Sequence, residues 1–207
     1  MSNQPNSSTD RAADSGQEIG SILMESREGL TRMIRLRMDR RLQGRVDASD
    51  VIQEAYLEAS QRYPGYLENP DVPPFVWLRF LTLQKLMQFQ RRHLGAKARD
   101  VGREVSIHRG AMPAASSAML AAQLIGKQTS PTQAAHRAES KLKVQEALNS
   151  MSELDQEVLA LRHFEQPDNA QTALVLGISD DTCYKRYVRS LKRLGKVLGA
   201  TKSASMP

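Results

Sequence analysis

Apolar residues recur at helical spacing along most of the chain. Ile19, Ile22, Leu23, Leu30, Ile34, Met38 and Leu42 largely keep steps of three, four or seven, which predicts a helix over residues 18–42 with a bend or break at Gly29. Residues 47–60 repeat the pattern: Asp47 or Ser49 can cap a helix whose buried side is Val51, Ile52, Ala55, Tyr56 and Ala59. Pro64, Gly65, Pro70, Pro73 and Pro74 then interrupt it, predicting a loop that exposes Tyr63 and Tyr66. Residues 75–93 predict a long helix, with Phe75, Leu78, Leu81, Thr82, Met87 and Phe89 among its core positions. Residues 95–139 are rich in Ala, Ser, Gly and Pro and lack aromatics, which predicts a linker with short helical pieces such as 117–124. Leu142, Val144, Ala147 and Leu148 open a second helical region. Ser152 can cap its next helix, which carries Val158, Leu159 and Leu161 and ends at Gln166-Pro167-Asp168.

The stretch from Asn169 to Leu194 reads as helix, tight turn, helix. Asn169 can cap the first helix, whose apolar positions include Ala173, Leu174 and Leu176. Gly177 follows, where a helix end favours a left-handed backbone. Ile178 can tuck between the helices, and Ser179 is a good N-cap for the second, with Asp180 and Asp181 at its positive end. Cys183, Tyr187, Leu191, Leu194 and Leu198 then form a stripe for burial, while Lys185, Arg186, Arg189, Lys192, Arg193 and Lys196 occupy the other faces. No acidic residue occurs from Tyr184 to Pro207. A helix-turn-helix that reads duplex DNA needs this layout: a small residue for close approach, a glycine corner, and a basic second helix. A plain helical hairpin with a solvated basic face would share the spacing. The one-sided charge favours the DNA reader.

The bulk numbers agree with a helical protein that meets an anion. The 207 residues are 40% hydrophobic but only 5% aromatic, enough for one or two helical cores rather than a sheet protein. A net charge of +6 favours an anionic partner such as nucleic acid. The single cysteine, Cys183, allows no internal disulfide and suits a reducing cytoplasm, the expected location. No apolar run approaches the roughly 20 residues of a membrane span. Asp50, Glu54 and Glu58 fall four apart on one helix face, but a metal site needs ligands converging from other elements, often histidines. His93, His108, His136 and His163 are dispersed and pair with no such site. The expectation is therefore no catalytic residue, no metal and no cofactor.

Taken together, the two helical regions resemble a bacterial RNA polymerase sigma factor of the extracytoplasmic-function (ECF) class, over residues 19–93 and 141–198. Residues 47–59 (DASDVIQEAYLEA) are similar to the part of region two that docks on the polymerase clamp. Residues 75–92 resemble the adjoining helix that melts and reads the −10 element. Residues 155–165 (DQEVLALRHFE) with the helix-turn-helix resemble region four, which reads the −35 element.

The resemblance implies an all-α chain of two helical domains and a flexible linker. Residues 18–94 would be region two and 140–199 region four, with 95–139 as tether and 1–17 and 200–207 as disordered tails. Asp50, Gln53 and Glu54 would meet core polymerase. Tyr63, Tyr66, Trp77, Arg79, Gln84, Lys85, Gln88, Arg91 and Arg92 would meet the −10 element, where bases stack on aromatics and arginines track the backbone. Thr182, Tyr184, Lys185 and Arg189 would reach −35 base edges or phosphates, and Arg186, Lys192 and Arg193 the backbone. Core RNA polymerase and promoter DNA are the implied partners, with room for an inhibitory anti-sigma factor. A stand-alone helix-turn-helix regulator with an N-terminal dimerisation or sensing domain is the competing reading. It would bind duplex DNA tightly without polymerase.

Overall fold

The structure, a computed structural model, describes residues 7–94, 114–126 and 134–203. The expectations for residues 1–6, 95–113, 127–133 and 204–207 lie outside it. Every regular element among the described residues is helical, as the apolar spacing predicts. Contacts divide the chain into two units: residues 1–34 with 38–107, and residues 35–37 with 108–207.

The first unit contains most of helix α1 (Ser7–Arg37), with α2 (Ala48–Glu68) and α3 (Pro74–Leu94). Helix α1 starts well inside the stretch expected to be a tail, where Arg11, Ala12, Ala13, Gln17 and Glu18 are good helix formers. It also runs through Gly29 unbroken. A mid-helix glycine costs about 1 kcal/mol, and burial of the neighbouring Leu30, Met33 and Ile34 offsets it. Helix α2 opens on a capping box: Ser49 N–H donates to Asp47 Oδ1 at 3.0 Å, and Asp47 N–H donates to Asp50 Oδ2 at 3.2 Å. Val51, Ile52, Ala55 and Ala59 are buried, as the periodicity predicts.

Pro64 does not end α2, contrary to the expected loop; the helix continues to Glu68. A proline inside a helix loses one hydrogen bond and crowds the carbonyl four residues back, at about 3 kcal/mol. Aromatic packing compensates here. Tyr63 is 1% exposed, not solvent-facing as expected. Its ring lies 5.7 Å from Tyr66 and 6.0 Å from Trp77, and Tyr66 stacks on Trp77 at 4.7 Å. The Tyr66 hydroxyl donates to Val72 O at 2.6 Å, tying the end of α2 to the turn before α3. Pro74 then occupies the first position of α3, where its missing N–H costs nothing.

The second unit contains α4 (Ser117–Ile125), α5 (Ala134–Asn149), α6 (Glu153–Leu159), a π-helical turn over Ala160–Glu165, α7 (Asn169–Leu176) and α8 (Asp180–Ser203). Part of the expected linker is core. Ala115, Leu120 and Ala121 are buried with Val144, Leu148, Leu159, Phe164 and Leu194, and Leu36 joins them. Helix α4 packs on α5, and α5, α6 and α7 each pack on α8. Ser152 caps α6 as predicted, its Oγ accepting from Asp155 N–H at 3.2 Å.

The π-helical turn buries the consecutive residues Phe164 and Glu165. Glu165 faces Arg37, whose Nη1 lies 2.5 Å from Glu165 Oε1 and whose Nη2 lies 2.6 Å from Glu157 Oε2. The other Glu157 oxygen, Oε1, accepts from Ala115 N–H at 2.5 Å. Burial opposes the Arg37 charge, but Glu165 and then Glu157 outweigh it and hold its pKa above the ordinary value.

Candidate nucleic-acid interface

The corner between α7 and α8 is built by local chemistry. Asp168, rather than Asn169, is the N-cap of α7. Its Oδ1 accepts from Gln171 N–H at 2.7 Å, and Gln171 Oε1 accepts from Asp168 N–H at 3.3 Å. Asn169 instead bridges the two helix starts, its Nδ2 donating to Asp180 O at 2.8 Å. Gly177 ends α7 at φ 64° and ψ 36°, as its position predicts. Ile178 N–H then reaches back to Ala173 O at 3.0 Å. Ala173, Cys183 and Val158 form a small core that Leu176, Ile178 and Tyr187 cover. Cys183 is thus a packing residue, and burial pushes its thiol pKa up. Leu191, expected on the buried stripe, is 37% exposed, and the apolar Leu174 is 41% exposed.

Ser179 caps α8: its Oγ accepts from Thr182 N–H at 3.3 Å and lies 2.8 Å from the Thr182 hydroxyl. Tyr184, Lys185, Val188, Arg189, Lys192, Arg193 and Lys196 follow at steps of three and four along one face, where they line a groove of about 470 Å³. Five of these seven are cationic. The sequence set named Tyr184, Lys185, Arg189, Lys192 and Arg193; Val188 and Lys196 extend it at the same period.

Several of these cations already have partners. Lys185 bridges Asp181 at 2.6 Å on the open surface, a pair worth about 0–1 kcal/mol and readily exchanged. Arg193 donates to Ser150 Oγ at 2.8 Å. Arg186 does not line the groove; it bridges Asp155 of α6 at 2.7 Å and is half-buried. Arg189 reaches the same Asp155 oxygen at 3.2 Å. Burial alone would raise the Asp155 pKa, yet Arg186, Ser152 and Arg189 hold it below the ordinary carboxylate range. No local spacing pairs Asp155 with Arg186, which lies 31 residues away.

In the first unit the structure disperses the residues that the sequence grouped. Tyr63, Trp77 and Arg79 are buried. Lys85 bridges Glu58 at 2.5 Å, with both side chains mostly covered, and donates to Gln88 Oε1 at 3.4 Å. Arg92 lies 3.5 Å from Glu54 and stacks over the Phe89 ring at 5.7 Å. Arg91 is exposed, Tyr66, Gln84 and Gln88 are half-buried, and Asp50 and Gln53 face solvent. The carboxylates of α2 therefore serve its cap and the basic side of α3. Among the described residues, no helix is long and apolar enough to cross a membrane.

Comparison with known proteins bears on this interface. Residues 141–194, from α5 into α8, match the family described as Sigma-70, region 4. No curated protein matches the chain in sequence. The solved structure described as "Structure of CnrH in complex with the cytosolic domain of CnrY" shares 18% identity, covering 91% of this chain and 95% of that chain, with a TM-score of 0.49. A likeness that slight bears on neither function nor partner. The family match falls on the capped corner and its basic helix. Residues 141–194 are therefore similar to sigma-70 region 4.

Proposed function

We propose that the chain is a bacterial sigma factor of the extracytoplasmic-function class, which binds core RNA polymerase in the cytoplasm and directs promoter-specific initiation. The observation that carries the reading is the match to region 4 over a helix-turn-helix whose second helix presents one continuous cationic groove. Helix α8 would lie in the major groove at the −35 element, with Tyr184, Lys185 and Arg189 nearest base edges and Lys192 and Arg193 on phosphates. Thr182 stands at the leading end of the helix, and Arg186 acts as a brace rather than a grip.

The first unit would bind and open the −10 element. Exposed Arg91 and Arg92, with Gln84, Gln88 and Lys85 on the same helix, supply cations and amides along α3. The stacked trio of Tyr63, Tyr66 and Trp77 would hold the adjoining turn in shape for a flipped base. Gln53 and Glu54, with Asp50, form the face for core polymerase. An inhibitory anti-sigma partner would act by covering either face.

Run-off transcription with purified core polymerase and a promoter library tests the proposal. Promoter-specific transcripts that require this chain are expected. Absence of transcripts together with failure to co-purify with core polymerase would refute it. Tight, sequence-specific duplex binding without polymerase would instead favour the stand-alone regulator.

A further inference from the structure

Asp155 of α6 holds three residues of α8. Its Oδ1 takes Arg186 Nη1 at 2.7 Å and Arg189 Nη2 at 3.2 Å, and its main-chain carbonyl takes the Ser190 hydroxyl at 3.5 Å. These partners sit at positions i, i+3 and i+4 of one helical turn, so one residue of α6 fixes both the roll and the axial position of α8. The two arginines are held unequally. The Arg186 side chain is 28% exposed and its bond is short, whereas that of Arg189 is 65% exposed and its bond is longer. Arg189 lines the cationic groove and Arg186 does not.

We infer that Asp155 is a positioning residue of the nucleic-acid interface: it braces α8 through Arg186 and holds Arg189 at the groove edge, keeping that cation from the phosphates of arbitrary duplex. This rests on the reading of α8 as a duplex-DNA helix. Asp155 itself touches no nucleic acid. Its charge competes with phosphate for Arg189, so it lowers affinity for arbitrary sequence while keeping the helix in register. A cation neutralised within the protein releases no counterion from DNA, whereas a freed one does, and each phosphate contact changes the salt slope by about 0.9. Asp155 thus leaves a signature in salt dependence that a purely structural residue does not.

The test is fluorescence titration of the full chain with a labelled random-sequence duplex, over salt from about 50 to 200 mM. Asp155→Asn should tighten low-salt binding by about threefold to tenfold and steepen the slope by about 0.9, as one more phosphate is engaged. Asp155→Glu, which keeps the carboxylate, should restore the wild-type slope. If Asp155→Asn fails to fold, the exposed Arg189→Ala serves instead and should leave the slope unchanged, because the cation it removes was already neutralised by Asp155. Weaker binding at unchanged slope in Asp155→Asn, or a slope flattened by about 0.9 in Arg189→Ala, would overturn the inference while leaving duplex binding intact. A wild-type chain that binds no duplex at low salt would overturn the parent reading as well.

Discussion

Replacing Arg37 by methionine should strip a buried counter-charge from the second unit. The side chains of Arg37 and Glu165 are each 1% exposed, and that of Glu157 is 20% exposed. Methionine fills most of the volume but leaves the Glu165 carboxylate buried without its cation. Breaking such a pair from one side costs about 3–5 kcal/mol. Protonation sets a ceiling. A glutamate with an ordinary pKa of about 4.3 can be neutralised at pH 7 for roughly 3.7 kcal/mol, at 1.36 kcal/mol per pH unit. The expected loss is therefore about 3–4 kcal/mol at pH 7, shrinking to about 1 kcal/mol near pH 5. It is large against the 5–15 kcal/mol that typically holds a domain together.

Urea unfolding followed by far-ultraviolet circular dichroism reads both units. The fluorescence of Trp77, the single tryptophan, reads the first unit alone. The dichroism transition should move and the fluorescence transition should not. The double variant Arg37→Met with Glu165→Met should recover most of the loss, because it removes both charges. A loss under about 1 kcal/mol at pH 7, or one that does not shrink on acidification, would refute the account of this cluster.

Gly177→Ala should cost about 1–2 kcal/mol, seen as a lower melting temperature. A Cβ there meets nothing within 4 Å, so the cost is backbone strain at φ 64°. Spectrophotometric titration should find Tyr63 ionising at about 12 rather than 10.0, mainly because of burial and then because of Glu18. Its contribution to stability should be fully present below pH 10 and lost as pH rises through about 12, and Tyr63→Phe should remove that alkaline loss. Gln53→Ala with Glu54→Ala should weaken binding to core polymerase about tenfold, or 1.4 kcal/mol, in a titration. That pair spares Asp50, which helps cap α2. Unchanged affinity would remove this face from the interface.

The sequence made the candidate interface legible where the chemistry is local. Gly177, Ser179 and the basic face of α8 follow from neighbours a few residues apart, and each stands where spacing and capping put it. What it hid depends on distant partners. Pro64 reads as a stop because proline signals are short-range, whereas the helix continues to Glu68 with Tyr66 stacked on Trp77 across the turn. Residues 114–125 read as tether because Ala and Ser are weakly apolar, yet Ala115, Leu120 and Ala121 fill a core whose larger side chains come from α5, α6 and α8. Trp77 and Arg79 look like nucleic-acid contacts by residue type, and tertiary burial decides against an exposed face for either. The partnership of Arg37 with Glu165 joins residues 128 apart, beyond the reach of any periodicity.

The assignment of residues 35–37 to the second unit bears on how the protein can be dissected. A gene cut anywhere in the Ala-rich stretch would leave Leu36 and Arg37 on the front fragment. The rear fragment would then carry an empty apolar slot beside two acids that have lost Arg37. Expressed by itself, it should behave as a shortened protein that melts early and clings to chaperones. Adding back a synthetic peptide that spans the missing turn should tighten it.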